Sequence, residues 1–174
     1  MRIRRARKDD AEAIARVHVE SWRSSYRDII AADYLASLSF ENHAQRWHEI
    51  LRTQNPKSYT FVAQNKDGHI VGFISCGPQR DLNVDYEAEL YAIYLLKSAQ
   101  RLGLGRRLAQ AATGQLFRDG FKNILVWVLE NNPSRKFYEA LGGQYVTEKA
   151  IILGDQNLTE VAYGWLDLRL FLEA

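Results

Sequence analysis

Apolar positions in the first third of the chain recur at helical spacing. Ala11, Ile14, Val17, His18 and Trp22 step along one face. Asp9 ahead of them, with Glu12 three positions on, has the form of a capping box. A short strand over 2–5 comes first. The spacing predicts a second helical region over 33–52, with Leu35, Leu38, Trp47, Ile50 and Leu51 on its apolar side and Pro56 beyond its end. The pattern then turns to β type. Runs over 59–64 and 69–76 flank Asn65-Lys66-Asp67-Gly68, a hairpin signal, and a third run covers 87–96.

Leu102-Gly103-Leu104-Gly105 follows at once and opens a helix. Leu104, Leu108, Ala111, Ala112 and Leu116 share one of its faces. Gly114 weakens this helix by ~1 kcal/mol relative to alanine, and Gly120 sits where a C-terminal cap belongs. A strand over 123–129 precedes Asn132-Pro133, which reads as N-cap and first helical position. Ser134, Phe137, Tyr138 and Leu141 share a face before Gly142-Gly143. Strands over 144–153 and 159–167 close the chain around a turn at Gly154-Asp155. This order of elements predicts one mixed α/β layer structure. A length of 174 residues suits a single domain.

Composition narrows the function classes. With 23 basic and 21 acidic side chains, the net charge of +2 gives no general reason to expect nucleic acid or an anionic membrane as partner. The lone Cys76 permits no disulfide within the chain and no Cys/His set at zinc-ligand spacing. The first twenty residues lack the apolar core of a signal peptide. No apolar run approaches the roughly 18 residues that span a bilayer. The expectation is a cytoplasmic protein without a metal.

The first chemical signal is Gln100-Arg101-Leu102-Gly103-Leu104-Gly105, between a strand and a helix. Backbone N–H groups and the helix dipole favour an anion at such a junction. Glycine lets the backbone approach a phosphate with no Cβ in the way. Arg101, Arg106 and Arg107 add charge. A P-loop is excluded because Arg106-Arg107 follows Gly105, and a dinucleotide fingerprint because position 108 is Leu108. A glycine turn that binds nothing is as common as one that binds a ligand.

The second signal is Asn131-Asn132-Pro133-Ser134-Arg135-Lys136-Phe137-Tyr138-Glu139-Ala140-Leu141-Gly142 after the next strand. Together the two segments resemble the GNAT superfamily of N-acetyltransferases. That family shows Gln/Arg-x-x-Gly-x-Gly/Ala after its fourth strand, then Asn, a small residue three positions on, and Phe-Tyr before Leu-Gly. Ser21-Trp22-Arg23-Ser24-Ser25-Tyr26 also looks like many bacterial members. Gly143 departs from the pattern, since Phe is common there.

The resemblance implies a seven-stranded mixed sheet flanked by about four helices and splayed between strands four and five. It implies one N-acetyltransferase domain over 1–174, acting as monomer or homodimer, with acetyl-CoA as cosubstrate. Ile93, Tyr94 and Leu95 would pair with the pantetheine arm. Gln100, Arg101, Leu102, Gly103, Leu104, Gly105 and Arg106 would surround the pyrophosphate. Asn131 and Ser134 would lie along the arm, and Tyr138 near the sulfur. Glu89, eleven residues before Gln100, stands where several members place a catalytic carboxylate; Glu87 is the second choice. Trp22, Tyr26 and Glu87 would line the acceptor side.

Direct attack by an amine on a thioester needs no enzyme nucleophile. It needs positioning, a base for the amine proton and an acid for the leaving thiolate. Glu89 and Tyr138 are the candidates, with a backbone N–H near Tyr94 or Leu95 polarising the carbonyl. Taken singly, each residue has a plainer role: Glu89 as a paired strand carboxylate, and Tyr138, Trp22 and Tyr26 as core. The alternative function is a non-catalytic acyl-CoA-binding sensor. The segment 81–96 carries Asp81, Asp85, Glu87 and Glu89 with no Lys, Arg or His. This raises the expectation of a cationic primary amine as acceptor.

Overall fold

The computed structural model of the chain describes residues 1–53, 55–81 and 83–173. Among these, seven strands form one sheet in the order β1-β2-β3-β4-β5-β7-β6. The strands are β1 (Arg2–Arg5), β2 (Tyr59–Gln64), β3 (Ile70–Pro78), β4 (Ala88–Leu95), β5 (Ile124–Leu129), β6 (Gln144–Leu153) and β7 (Gln156–Trp165). The α-helices are α1 (Ala11–Ser25), α2 (Ala32–Ser37), α3 (Phe40–Thr53), α4 (Leu104–Arg118), α5 (Arg135–Ala140) and α6 (Leu168–Glu173). The mixed α/β sheet is the one predicted, with six helices in place of about four.

The extra helices have local causes. The predicted region over 33–52 is broken where Leu38 turns extended (ψ 109°). Ser39 then accepts from the Asn42 N–H at 3.1 Å and opens α3. Apolar spacing runs on across the break, so the hydrophobic pattern does not register it. At the head of α1 the working carboxylate is the buried Asp10, not Asp9. It accepts from the Arg7 N–H at 2.7 Å and from both Arg4 amino groups at 2.7 and 2.8 Å. The short α6 is held by burial of Leu168 and Phe171, the latter ring 4.4 Å from Trp165.

Helices cover both faces of the sheet. On one face α4 buries Leu104, Leu108, Ala112 and Leu116 against Ile74, Leu90 and Val126 of β3, β4 and β5. Full burial of each of the leucine, isoleucine and valine side chains is worth about 1.5–3 kcal/mol. On the other face α1 and α3 place Ile14, Val17 and Trp47 over Val62 and Phe73. A third cluster of Tyr26, Ile30, Leu35 and Leu129 ties the α1–α2 stretch to the β6–β7 hairpin. There the Ala31 N–H also donates to Gln156 Oε1 at 2.6 Å. Among the described residues, no helix is long and apolar enough to cross a membrane.

One irregularity in the sheet makes room for a ligand. β4 runs parallel to β5 for only three pairs: Ala88–Ile124, Glu89–Leu125 and Leu90–Val126. Past Val126, β5 pairs only with β7. β4 stays with β3 as far as Gly72–Leu95, and a register shift leaves Tyr91 as an extra residue between Leu90 and Ala92. Such a bulge bends its strand. The two parallel strands part at this point, as the predicted splay requires.

Candidate active site

The edge of β4 from Tyr91 to Leu95 faces the parting with no strand opposite. An extended chain could pair with this edge as an added strand would. Ile93, Tyr94 and Leu95 all lie on it. The Gln100 side chain donates to the Leu95 carbonyl at 3.1 Å, closing the end of the edge nearest the glycine turn.

That turn is built from two left-handed residues. Arg101 has φ 59° and Gly103 has φ 73° at the N-cap of α4. A Cβ on Gly103 would meet nothing within 4 Å, so the backbone there faces open space. A non-glycine residue held at positive φ, as Arg101 is, is a feature of ligand-clamping segments. Arg101, Leu102 and Arg106 are exposed around it, whereas Leu104 is buried core. Gly105 differs in purpose from Gly103: a Cβ there would lie 3.1 Å from the Phe137 ring. It therefore lets α4 close onto α5. An open backbone, an oriented helix terminus and free arginines together suit a pyrophosphate. The notch thus offers an unpaired strand edge along β4 and an open glycine turn at its end.

Across the parting, Asn132 and not Asn131 does the local structural work. Its Oδ1 accepts from the Ser134 N–H at 2.8 Å, and α5 begins only at Arg135. Asn131 and Ser134 are left exposed at the mouth. Tyr138 is buried on α5 and its hydroxyl makes no hydrogen bond among the described residues. Burial, with the nearby Tyr26 phenol adding to it, pushes its pKa well up. Tyr138 thus stays protonated across the neutral range. Gly143 is small because Trp165 occupies the space: a Cβ would lie 2.7 Å from that ring and 2.9 Å from the Tyr138 carbonyl.

Tyr26 and Trp22 come from the end of α1 and meet edge to face, their ring centroids 5.0 Å apart. The Tyr26 hydroxyl lies 3.4 Å from that of Tyr94. The structure therefore brings together Trp22, Tyr26, Tyr94 and Tyr138, from α1, β4 and α5. Behind them His18 stacks on Tyr94 at 5.1 Å and accepts from Trp47 Nε1 at 3.3 Å. Burial first, then His43 and Arg46, lower the His18 pKa to about 3.

Glu89 is buried on the α1 side of β4, and its carboxylate is fully engaged. The Arg80 guanidinium grips both oxygens, and the Arg80 N–H adds a third bond at 3.2 Å. Glu87 lies at the joined end of β4, away from the parting. Its Oε2 accepts from the Lys122 N–H at 2.7 Å and its own N–H donates to Asn123 Oδ1 at 2.6 Å. Asp81 is paired with Lys149 at 3.3 Å. Two of the four carboxylates in the acidic run over 81–96 are thus paired with cations, Asp81 with Lys149 and Glu89 with Arg80, and Glu87 is held by a backbone N–H.

Four residues of this region escape the sequence reading: Arg80, Trp127, Lys149 and Glu160. A cleft of about 450 Å³ beside Glu89 is lined by Arg80, Asp81, Asn83, Trp127 and Lys149. The Lys149 ammonium rests 3.8 Å above the Trp127 ring. Glu160 on β7 lies opposite Lys149 on one side and Leu129 on the other. No motif marks these residues; the strand order alone makes them neighbours. Among the described residues, no group of His, Cys, Asp or Glu is placed to hold a metal ion.

Comparison with known proteins agrees with this architecture. Residues 12–143 match the model of the Acetyltransferase (GNAT) family. The N-acetyltransferase YuaI of Bacillus subtilis is 42% identical over 166 residues, covering 95% of this chain and 93% of YuaI. The spermidine N(1)-acetyltransferase of Thermoplasma acidophilum is 25% identical over 132 residues, covering 75% and 79%. The fold is shared with the PaiA N-acetyltransferase of Thermoplasma acidophilum, solved with coenzyme A, at a TM-score of 0.73 and 21% identity, covering 91% and 96%. The ribosomal-protein-alanine N-acetyltransferase of Brucella melitensis also shares it at 0.73 and 19% identity, covering 95% and 99%. By sequence and by fold the chain belongs to the Acetyltransferase (GNAT) family and is an N-acetyltransferase.

Proposed function

We propose that the chain moves an acetyl group from acetyl-CoA to a primary amine of a small molecule or peptide, by direct attack with both substrates bound. The observation that carries this reading is the parting of β4 from β5 beyond Leu90, with the open Gly103 turn at one end and the Tyr138 hydroxyl across it. A thioester is an activated acyl donor, so the chain has to bind, orient and manage protons. The β4 edge from Ile93 to Leu95 aligns the donor, and a backbone N–H there polarises the acetyl carbonyl. Gln100, Arg101 and Arg106 surround the phosphates with the turn, and Asn131 and Ser134 flank the arm. Tyr138 keeps its proton and offers it to the charge that develops on sulfur.

Glu89 remains the β4 carboxylate on the acceptor side. With both oxygens held by Arg80, it can serve as a proton acceptor only if that pair opens. Its first effect is to hold Arg80 across the cleft. Trp22 and Tyr26 form the wall against which the acceptor lies. A sensor that binds acyl-CoA without turning it over would not need the polar cleft on the far side of the notch. The test is thiol release from acetyl-CoA with a panel of primary amines. Amine-dependent release is expected. CoA binding with no release from any amine would reject the catalytic reading.

A further inference from the structure

Two carboxylates face the α1 side of the sheet near the parting, in opposite circumstances. Glu89 is saturated by Arg80. Glu160 is only partly exposed, yet its carboxylate makes no hydrogen bond among the described residues. Strand alternation fixes where it points. Val161 enters the core under α4, while Leu158 joins the cluster around Tyr26 on the opposite face, and Glu160 shares that face with Leu158. Its cross-strand neighbour Leu129 belongs to the same cluster. A half-buried carboxylate with no protein donor leaves its acceptor positions to water or to a ligand's donor.

The charged and titratable groups around it come from every neighbouring element. Lys149 faces it from β6, Glu89 from β4, Arg80 from the segment after β3, and Tyr26 from the end of α1. Burial pushes the Glu160 pKa up; Glu89 adds to this, and Lys149 and Arg80 oppose it. Tyr26 in turn lies beside Tyr94, on the β4 edge where the acetyl group would be presented. The chain's own Lys149 ammonium rests on Trp127 in the same cleft.

We infer that Glu160 receives the acceptor's ammonium group and takes up its proton, so that the acceptor is a primary alkylamine entering from the α1 side between Tyr26 and Trp127. This rests on the acetyl-transfer reading above. The steps balance. Glu160 takes one proton from R–NH3⁺. The freed nitrogen pair bonds the acetyl carbon, and the carbon–sulfur bond breaks with its electrons on sulfur. Sulfur takes a proton from Tyr138, which regains one from the nitrogen as the amide forms. One proton in all leaves, from Glu160 to water.

The test compares wild type with Glu160→Gln on two probes, cadaverine, which is cationic at pH 7.5, and trifluoroethylamine, which is largely neutral there. For cadaverine kcat/KM should fall about 100-fold, within the usual range for loss of a general base. For trifluoroethylamine the fall should be several-fold at most. The acid limb of the cadaverine pH profile should move, and the acetyl-CoA Kd should stay within twofold. The variant should melt no lower than wild type at pH 7.5, since the raised pKa means that ionised Glu160 is disfavoured by folding. Equal losses for both amines, or no loss, would overturn the role of Glu160 while leaving acetyl transfer in place. Absence of amine-dependent thiol release in the wild type would overturn both.

Discussion

Gly103 offers a test in which backbone strain and ligand contact separate. It sits at φ 73° at the N-terminus of α4, and a Cβ there would meet no atom of the protein within 4 Å. Gly120 sits at φ 89° beyond the other end of the same helix, and a Cβ there also meets nothing within 4 Å. The two glycines therefore pay the same kind of cost on substitution. A Cβ in the left-handed region costs about 1–2 kcal/mol, with no clash to add. For a chain of this length each kcal/mol lowers Tm by about 2–4 °C. Gly103→Ala and Gly120→Ala should thus lose similar amounts, roughly 2–8 °C. Only Gly103→Ala puts a methyl group where the pyrophosphate is expected. Isothermal titration calorimetry with acetyl-CoA should show at least a tenfold rise in Kd for Gly103→Ala, equal to about 1.4 kcal/mol. Gly120→Ala should stay at the wild-type value. Equal affinities in the two variants, with matched losses of Tm, would refute the placement of CoA at this turn.

Tyr138→Phe should lower kcat by about 10²-fold with acetyl-CoA affinity retained, measured where chemistry limits the rate; wild-type kcat would remove Tyr138 from the proton path. Gly143→Ala forces a Cβ to 2.7 Å from the Trp165 ring and 2.9 Å from the Tyr138 carbonyl, so denaturant unfolding should show a loss of about 1–3 kcal/mol, and an unchanged midpoint would contradict the packing described. His18 has its pKa depressed to about 3 by burial, so its contribution to stability is fully present above about pH 6.5 and declines as pH falls toward 3. The wild type should lose stability over that window, and His18→Phe should flatten that part of the curve; parallel curves would place the acid sensitivity elsewhere.

The sequence carried the parts of the site that depend on contiguous residues. Gly103 is legible because one turn needs a left-handed residue beside an arginine cluster, and Phe137-Tyr138 because both lie on one short helix. The parting of the sheet followed only from the family resemblance, since no local signal in 87–96 announces that its partner strand ends early. The partners of Glu89 and Asp81 were illegible. Arg80 lies just ahead of the acidic run and Lys149 far beyond it, and only folding folds them over the carboxylates. Glu160 was missed for the same reason. In an ordinary alternating strand, nothing but the order β5-β7-β6 sets it between Leu129 and Lys149. The break between α2 and α3 was missed because Ser39 interrupts the backbone without interrupting the apolar spacing.

The divergence of β4 and β5 also bears on how the free protein avoids self-association. Unpaired strand edges normally recruit strands from other chains. Here two such edges lie in the middle of a sheet, yet they stay joined at Ala88–Leu90, and Gln100 occupies the Leu95 carbonyl on one of them. A strand from another molecule needs about 4.7–4.9 Å of clearance on each side along its whole length. Strands still paired at Ala88–Leu90 cannot supply that width along their whole length. A strand of another molecule therefore cannot lie between them from end to end. The taper that leaves a strand edge open within the sheet therefore also guards that edge against pairing with a second chain.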